Sequence, residues 1–360
     1  MNDDPDPMRV GIIGLTPVGF GIAELFSQLG QEVTGADAKR GSRDQFEREF
    51  ETPTYETPEE LLDQDIDAAV VTPPNKFHEG AAVKALKRDL PVLIEKPLAH
   101  TLESARRIRD AATDSESFGM TTFNHKFLNR SRVLKSYIDD GYFGDLSHIH
   151  ARHMSRRDIP SRGSWMTSRD IAGGGVLYDR GTFVVDMLLY FMDYAALETV
   201  SGRTWREFDS FEEYAYLDMY GEEETGEISD VEDSAIATLR FENGCSATIE
   251  VAWAANIERD REHSYEIRGE NAGAHLDISY ADDPGNTLRF YEARKGAADH
   301  FLDIDLRTAH AQSRITLLDS FLDHVRAGTN PTRNTLEQAV QIQKIITEIG
   351  DATVDHSANS

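Results

Sequence analysis

A glycine-rich turn near the N-terminus has the residue types and spacing of a dinucleotide site. Residues 14–19 (GLTPVG) read G-x-T-x-x-G, where the nucleotide-binding fingerprint has G-x-G-x-x-G. In that fingerprint the first glycine makes a tight turn, the last permits close packing of a helix on a strand, and the helix N-terminus faces the pyrophosphate. The residues that we predict to bind the cofactor here are Gly14, Leu15, Thr16, Pro17 and Val18.

Two residues bear on which dinucleotide binds. Thr16 stands where the fingerprint has its middle glycine, so its Cβ crowds the phosphate, although its hydroxyl can donate to a phosphate oxygen. Asp37 follows the next apolar run and is predicted to accept hydrogen bonds from the adenosine ribose and to repel a 2′-phosphate. NAD is therefore the predicted cofactor. Lys39 and Arg40 lie close enough in the chain to keep NADP open.

The segments that must position these residues alternate between short apolar runs and stretches with helical spacing. A chain of 360 residues is long enough for two domains. Repeated strand–helix–strand units predict right-handed crossovers and a doubly wound parallel sheet, so residues 1–123 are expected to form an α/β Rossmann domain that binds NAD(P). The predicted strands are Met8–Gly14, Glu32–Ala36, Ile66–Thr72, Pro91–Ile94 and Phe118–Thr122.

The pattern changes in residues 124–360. Strand-like segments joined largely by turns are accompanied by a glycine-led helix, Gly173–Tyr190, and a helical C-terminal region, Ser313–Ile349. This favours an α+β domain with a large, mainly antiparallel open sheet. The acidic run Glu222–Asp233 is expected to be a solvated loop. The predicted strands are Ser147–His153, Asp233–Phe241, Cys245–Ala252, Tyr265–Gly269, Ala274–Ile278 and Leu288–Glu292.

The composition argues against several classes of protein. A net charge of −27, from 64 acidic and 37 basic residues, disfavours nucleic acid as a partner. A single cysteine, Cys245, excludes an intramolecular disulfide framework and a thiolate zinc site. There is no apolar stretch of ~20 residues, and Met1–Pro7 lacks the features of a signal peptide, so we expect a soluble, cytoplasmic protein. The excess of carboxylates with few lysines resembles proteins from halophilic, salt-accumulating organisms.

Further motifs follow the later strands and open the glycine-led helix. They are residues 72–75 (TPPN) with His78, residues 95–97 (EKP), and residues 173–175 (GGG) with Asp179 and Asp186. Together and in this order they resemble the Gfo/Idh/MocA family, which includes glucose–fructose oxidoreductase, inositol dehydrogenase and many sugar dehydrogenases. The resemblance extends to residues 320–323 (SFLD) and 334–339 (NTLEQA), and so covers nearly the whole chain.

The resemblance implies an NAD(P)-dependent oxidoreductase that transfers a hydride between nicotinamide and a hydroxyl- or carbonyl-bearing carbon of a sugar, inositol or related polyol. It also implies a homodimer or homotetramer, since the open sheet often forms the subunit interface in this family. The additional cofactor-binding positions that it implies are Thr72, Pro73, Asn75, His78, Glu95 and Lys96. The implied substrate-binding positions are Lys96, Asn124, His153, Trp165, Asp179 and Phe183, with Lys96 and Asp179 as the catalytic residues.

Lys96 has the chemistry that this reaction needs. In such enzymes the lysine of the EKP segment lies beside the nicotinamide and bonds the substrate oxygen. A hydride leaving a carbinol carbon builds a carbonyl, and in the reverse direction an alkoxide develops that an ammonium group stabilises.

Phe183 departs from the family pattern. Asp179, Phe183 and Asp186 are spaced i, i+4 and i+7, so a regular helix would put them on one face. The family has a histidine, or in some members a tyrosine, at the position of Phe183, and phenylalanine cannot transfer a proton. Three interpretations stay open: Lys96 takes over proton transfer, another side chain reaches the site, or the protein binds nucleotide without turnover. The candidates for another side chain are Tyr178, His125, Lys126 and His153.

Two other groups of polar residues suggest ligands but have simpler explanations. His148, His150 and His153 resemble a metal cluster, but strand alternation puts only the first two on one face, so no metal site is predicted. Five arginines around Trp165 indicate either an anionic substrate, such as a sugar acid or phosphate, or a structural network with surface carboxylates. These arginines are Arg152, Arg156, Arg157, Arg162 and Arg169.

Three functions are compatible with these residues. A sugar or polyol dehydrogenase or reductase predicts NADH formation with a polyol. A glycoside-modifying enzyme that retains NAD predicts a tightly held cofactor and no net NADH production. A non-catalytic dinucleotide-binding sensor predicts cofactor binding without turnover.

Overall fold

The computed structural model describes residues 6–160, 164–207, 219–220, 229–279, 288–295, 298–307 and 312–352. The chain forms two compact units. The first is drawn from Met1–Asn124 and Gln312–Gln343, and the second from His125–Ala311 and Lys344–Ser360. Residues 1–5 of the N-terminal segment and residues 222–228 of the acidic run lie outside the described residues. Within the described ranges, none of the helices combines the length and apolarity needed to cross a membrane.

Six parallel strands form the sheet of the first unit. They are β1 (Arg9–Ile13), β2 (Glu32–Ala36), β3 (Thr54–Tyr55), β4 (Ala68–Val71), β5 (Val92–Ile94) and β6 (Gly119–Thr121). Their order is β3-β2-β1-β4-β5-β6, with the order reversing at β1. All four residues of β4 are buried, as expected for a central strand of a sheet covered on both faces. The predicted doubly wound parallel sheet is confirmed, and the two-residue β3 is an addition to it.

Five helices connect these strands: α1 (Pro17–Gln28), α2 (Arg40–Phe50), α3 (Pro58–Leu62), α4 (His78–Leu86) and α5 (Leu102–Thr113). Three of them begin at a threonine whose side-chain oxygen accepts a hydrogen bond from the backbone N–H three residues later. The capping residues are Thr16, Thr57 and Thr101. These local signals determine where the helices start, and α1 therefore starts directly after the glycine-rich turn.

Eight strands form the large sheet of the second unit, and two short strands form a separate parallel pair. The strands are β7 (Leu146–Ser155), β8 (Ile159–Pro160), β9 (Leu197–Trp205), β10 (Met219–Tyr220), β11 (Ser234–Phe241), β12 (Ser246–Ala252), β13 (Arg261–Gly269), β14 (Ala272–Asp277), β15 (Leu288–Arg294) and β16 (His300–Leu306). The sheet order is β16-β15-β14-β13-β7-β12-β11-β9, and β8 pairs with β10. Among the strands that the structure describes in the large sheet, only the β7–β12 pair is parallel, which confirms the predicted mainly antiparallel sheet.

The two edge strands of this sheet, β9 and β16, are absent from the strands predicted from sequence. Strand β11 alternates buried and exposed residues over most of its length, because one of its faces packs on the core. Strands β9 and β16 contain no fully buried residue. The hydropathy of β9 lacks the alternation that marks a half-buried strand, whereas residues 302–306 of β16 (LDIDL) do alternate, a signal that the sequence prediction did not use.

The remaining helices are α6 (Asn129–Asp139), α7 (Arg169–Ala172), α8 (Thr182–Phe191), α9 (Ser313–Ala327) and α10 (Leu336–Asp351). The helical C-terminal region predicted as one stretch is thus two helices. Asn334 lies between them in the left-handed conformation with φ of 58°.

Asn334 joins the C-terminal segment to the first unit. Its buried side-chain Nδ2 donates to the carbonyl oxygens of Thr121 and Phe123, at 2.8 and 3.0 Å. The N–H of Thr121 donates in return to the carbonyl oxygen of Asn334. Residues 312–343 accordingly belong to the first compact unit, whereas the sequence division assigned all of 124–360 to the second domain. This contact joins residues more than 200 positions apart, so no local pattern signals it.

We expect Asn334→Gly to destabilise the protein, because it keeps the left-handed backbone but leaves two buried carbonyl oxygens without their amide donor. The expected loss is about 2–4 kcal/mol of unfolding free energy. Asn334→Ala should lose a further ~1 kcal/mol, since alanine is strained at positive φ. Urea unfolding of both variants measures these losses. A glycine variant as stable as the wild type would contradict the role assigned to this side chain.

Candidate functional site

The predicted glycine turn follows β1, and it has no room for a side chain at its first position. Gly14 has φ of +94°, and a Cβ added there would lie 2.8 Å from the Cα of Pro73. Pro73 belongs to the loop that follows β4, the neighbouring strand. A glycine is thus required at position 14 by both its dihedral angle and the close approach of two backbone segments.

The Thr16 side chain forms hydrogen bonds with main-chain atoms of the protein. Its Oγ1 accepts the N–H of Gly19 at 3.2 Å, which caps α1, and its hydroxyl donates to the carbonyl oxygen of Thr72 at 3.1 Å. The Thr72 hydroxyl donates to the carbonyl oxygen of Gly14 at 2.6 Å. In this structure the one hydrogen of the Thr16 hydroxyl goes to the Thr72 carbonyl oxygen, so donation to a phosphate, which stays a prediction, would require that bond to break. The hydroxyl instead fixes the glycine turn against the loop after β4.

Asp37 lies at the carboxyl end of β2 and is oriented by two backbone groups. Its Oδ2 accepts the N–H of Leu15 at 2.8 Å and its Oδ1 accepts the N–H of Lys39 at 2.7 Å. The Arg43 guanidinium donates to its main-chain oxygen at 2.7 Å. A carboxylate has about four lone-pair positions, so each oxygen of Asp37 keeps capacity for another donor. Arg40, which kept NADP open, forms an exposed ion pair with Asp44.

His78 joins the loops that follow β4 and β5. It is the first residue of α4 and is buried. Its Nε2 lies 2.8 Å from the carbonyl oxygen of Pro73, and its Nδ1 lies 3.1 Å from that of Pro97 and 3.3 Å from that of Leu98. Burial lowers the pKa of His78 to about 4, although the three carbonyl oxygens act in the opposite direction. The neutral imidazole therefore stands between two loops that carry predicted cofactor residues.

The Glu95-Lys96 segment is held by the neighbouring strand. The N–H of Lys96 donates to Thr122 Oγ1 at 3.1 Å, and the Thr122 hydroxyl donates to Glu95 Oε2 at 2.7 Å. The peptide bond between Lys96 and Pro97 is cis. Lys96 thus follows β5 at the edge of the sheet where the turn after β1 and Asp37 after β2 also lie, the edge at which α/β sheets bind ligands.

Two further predicted residues of the first unit are Asn75 and Asn124. Asn75 is buried in the loop after β4. The Asn124 side chain donates to Ser313 Oγ at 2.7 Å and so contacts the start of α9.

In the second unit, a buried carboxylate organises the GGG segment. Gly173 has φ of +90°, and a Cβ on Gly175 would collide with the carbonyl oxygen of Glu232. Glu232 Oε1 accepts the N–H groups of Gly175 and Leu177, at 2.8 and 3.3 Å. Burial raises the pKa of Glu232. The acidic run expected to be solvated is therefore buried at Glu232 and Asp233, where it caps the helical segment.

Asp179 lies in a π-helical turn, Leu177–Gly181, that precedes α8. Such turns occur frequently at functional sites. The Asp179 Oδ2 accepts a hydrogen bond of 2.8 Å from the indole of Trp253, which is buried after β12. The segment is not one regular α-helix as predicted, because a π turn that contains Asp179 precedes α8. Trp253 was not predicted from sequence.

Lys126 and Asp186 form a buried ion pair. The Lys126 Nζ lies 2.6 Å from Asp186 Oδ1 and 2.8 Å from the Tyr194 hydroxyl, and the two charged side chains are only 1% and 0% exposed. Burial raises the pKa of Asp186 to about 6, while the lysine opposes that shift. Lys126 is therefore a structural cation, although sequence placed it among the candidates for proton transfer.

Phe183 packs against an imidazole cluster, which we define as His125, His153 and His263. The rings of Phe183 and His125 are stacked with centroids 4.3 Å apart, and His153 and His263 are stacked at 3.9 Å. His125 meets the edge of His263 at 4.9 Å, and His263 Nε2 lies 2.8 Å from the Tyr265 hydroxyl. Burial, with the neighbouring imidazoles and Arg180, lowers the pKa of His263 well below its usual range. The strand register pairs His263 with His153, and sequence alone does not reveal that pairing.

The arginines around Trp165 are paired with protein groups where the structure describes them. Arg152 bonds Glu250 and Glu262, Arg156 pairs with Asp260, Arg157 bonds Asn256 and Arg169 bonds Glu232. Arg162 lies outside the described residues. This favours the structural network over an anionic substrate. Trp165 begins a half-buried 3₁₀ turn, Trp165–Thr167.

The three histidines considered as a metal cluster, His148, His150 and His153, lie along β7. His148 Nδ1 lies 2.8 Å from Ser246 Oγ. Within the described residues, no group of three or more histidine, cysteine or acidic side chains is arranged to hold a metal ion.

We expect His78→Gln to flatten the dependence of stability on pH. The pKa of His78 falls from 6.5 to about 4 on folding, so the unfolded chain binds more protons between these values. Stability from this residue is present above pH 6.5 and is lost as pH falls towards 4. Between neutral pH and about pH 5, the wild type should lose about 2 kcal/mol more than the variant.

Urea unfolding at the two pH values and constant salt gives this difference. At neutral pH the variant should also be less stable by about 1–3 kcal/mol, because buried carbonyl oxygens lose a donor. Parallel pH profiles for the wild type and His78→Gln would show that His78 is not the titrating group.

Comparison with known proteins extends this picture. The family model described as "Oxidoreductase family, NAD-binding Rossmann fold" matches residues 8–122, and that described as "GFO/IDH/MocA C-terminal domain" matches residues 131–275. D-glucoside 3-dehydrogenase of Escherichia coli (strain K12) is 26% identical over 347 residues, which cover 94% of this chain and 93% of the relative. A protein of Amycolatopsis mediterranei named as a UDP-kanosamine synthase oxidoreductase subunit is 30% identical over 262 residues, 70% of each chain.

Solved structures share the fold. Levoglucosan dehydrogenase in complex with NADH and L-sorbose superposes with a TM-score of 0.82 at 21% identity, over 97% of each chain. The two family models together span most of the chain. The match to the relative at 30% identity covers more than two thirds of both chains. The chain therefore belongs to the Gfo/Idh/MocA family of oxidoreductases.

Proposed function

We propose that this protein is an NAD-dependent dehydrogenase or reductase that transfers a hydride between nicotinamide and a hydroxyl- or carbonyl-bearing carbon of a sugar, inositol or related polyol. The main support is the carboxyl edge of the first sheet, where the Gly14 turn, Asp37 and Lys96 follow strands of one parallel sheet. The sugar dehydrogenases among the relatives agree with this proposal.

The first unit fits a dinucleotide. Gly14 has no side chain, and a Cβ at this position would collide with Pro73. The N-terminus of α1 supplies the positive end of a helix dipole. Asp37 is held by two backbone N–H groups with lone pairs left for ribose hydroxyls. The cofactor residues that we propose are those of the Gly14–Val18 turn with Asp37, Thr72, Pro73, Asn75, His78, Glu95 and Lys96.

Lys96 and Asp179 are the proposed catalytic residues. When bound, NAD supplies the hydride acceptor. The Lys96 ammonium holds the substrate oxygen and stabilises negative charge on it. The Asp179 carboxylate, oriented by Trp253, accepts a hydrogen bond from a substrate hydroxyl. The further substrate contacts that we propose are Asn124, His153, Trp165 and Phe183.

The substrate that best fits these residues is uncharged. Arg152 is occupied by Glu250 and Glu262, and Arg169 by Glu232. An anionic sugar would have to compete with these carboxylates, whereas a neutral polyol needs only hydrogen-bonding groups.

The cellular setting is part of the proposal. We propose a cytoplasmic homodimer or homotetramer. The net charge of −27 also supports a protein adapted to high salt, since screening by salt relieves repulsion among surface carboxylates. Equal stability at low and high KCl would contradict the salt adaptation without affecting the enzymatic proposal.

NAD should bind more tightly than NADP, because the Asp37 carboxylate repels a 2′-phosphate. Asp37→Asn keeps an acceptor oxygen but removes the charge, and should reduce the preference for NAD by about tenfold at low salt. Fluorescence titration with NADH and NADPH measures both affinities. Tighter binding of NADPH by the wild type would indicate that Lys39 and Arg40 dominate recognition instead.

Lys96→Met should lower kcat by about a hundredfold to a thousandfold, because the variant retains the length of the side chain but not the charge that stabilises the alkoxide. Binding of NADH should change little. NADH formation with a panel of glucosides, anhydrosugars and inositols provides the assay. Lys87→Met, an exposed substitution in the same unit, is the matched control.

The same panel separates the alternative functions. Cofactor that stays bound through purification, with no net NADH, would favour the glycoside-modifying enzyme. Reversible NADH binding by a wild type that oxidises no polyol would favour the sensor. A near-normal rate in Lys96→Met would show that Lys96 does not have the proposed role.

A further inference from the structure

The proposed reaction needs a proton acceptor as well as a hydride acceptor. When an alcohol is oxidised, the C–H bonding pair leaves as hydride to NAD⁺. The O–H bond also breaks, its electron pair completes the carbonyl, and the proton must move to a base. Position 183 holds phenylalanine, which has no group that can take a proton.

His125 is the imidazole that packs directly on Phe183. The two rings are stacked with centroids 4.3 Å apart and planes 29° apart. The His153 ring is farther from Phe183, at 6.5 Å, and is tilted by 58°. The Lys126 ammonium is enclosed in its ion pair with Asp186. The stacking thus places a titratable ring beside Phe183, which stands where the family pattern has a group that can transfer a proton.

Partial exposure separates His125 and His153 from His263 within the imidazole cluster, and the closer stacking on Phe183 then singles out His125. His263 is buried and is bonded to Tyr265, so it has no access to a substrate. His125, Phe183 and Asp179 are each partly exposed. These three side chains can therefore contact a ligand, and the buried ring of His263 supports His125 from its edge.

We propose that His125 takes the hydroxyl proton of the substrate, with Phe183 as the flat surface on which its imidazole is stacked. The proton moves from the substrate oxygen to a ring nitrogen of His125, and the resulting imidazolium returns it to water. This inference rests on the proposed dehydrogenase function, and it assigns the proton to a residue of the 3₁₀ turn His125–Phe127 rather than to α8.

The pH dependence follows from this assignment. An imidazole must be neutral to accept a proton, so kcat/KM for oxidation should fall as acid protonates His125. The titratable and charged groups on the surrounding elements are His153 on β7, His263 and Tyr265 on β13, Asp179 and Arg180 in the π turn, and Asp186 with Lys126. Burial keeps His263 neutral, and Lys126 compensates the charge of Asp186.

Two substitutions test the assignment. His125→Phe keeps a ring to stack on Phe183 but cannot take a proton, and His125→Gln removes the ring. Both should lower kcat/KM by about a hundredfold near neutral pH and lose the acid limb of the pH profile, while NADH affinity is retained. His150→Gln, on β7 but outside the imidazole cluster and the proposed site, is the matched control and should keep the acid limb.

A measurement without turnover complements the kinetics. Addition of an oxidisable polyol to the wild-type NADH complex should shift the His125 Cε1–H resonance, which is assigned by its absence from His125→Phe. An active wild type whose pH profile is unchanged in both His125 variants would overturn the assignment while leaving the dehydrogenase function intact. A wild type that reduces NAD with none of the polyols would overturn both.

Discussion

Backbone segments at the carboxyl ends of β1 and β4 approach each other so closely that no side chain fits between them, and the candidate cofactor site depends on this contact. Gly14 and Pro73 lie at that contact. The hydroxyls of Thr16 and Thr72 bond across it. The neighbouring loop thus holds the turn through bonds within the protein, and these bonds form without a bound ligand.

Hydrogen bonds to main-chain atoms also hold the segment that follows the next strand, β5. His78 faces carbonyl oxygens of both the loop after β4 and the loop after β5, and Thr122 holds the Glu95-Lys96 backbone from the other side. A lysine that must meet a reacting oxygen needs a backbone that does not move, since small displacements in an active site cost much of the rate. In this unit, buried hydrogen bonds to main-chain atoms provide that rigidity.

The second unit uses buried charges for a similar purpose. Glu232 caps the GGG segment, and Lys126 pairs with Asp186 in the core of this unit. Removing one partner of such a pair leaves an uncompensated buried charge, which typically costs about 3–5 kcal/mol. These charges therefore serve the fold, whereas Asp179 and His125 are half-buried side chains of the same unit.

Sequence by itself determined the parallel Rossmann sheet, the mainly antiparallel second sheet, and the glycine turn with Asp37, because these depend on hydropathy period and on dihedral angles that particular residues favour. It did not reveal the edge strand β9, the packing of residues 312–343 with the first unit, or the burial of Glu232. Nor did it show that Trp253 bonds Asp179 or that His263 lies against His153. Each of these depends on contacts between residues far apart in the chain, and only the tertiary structure decides which distant side chains meet.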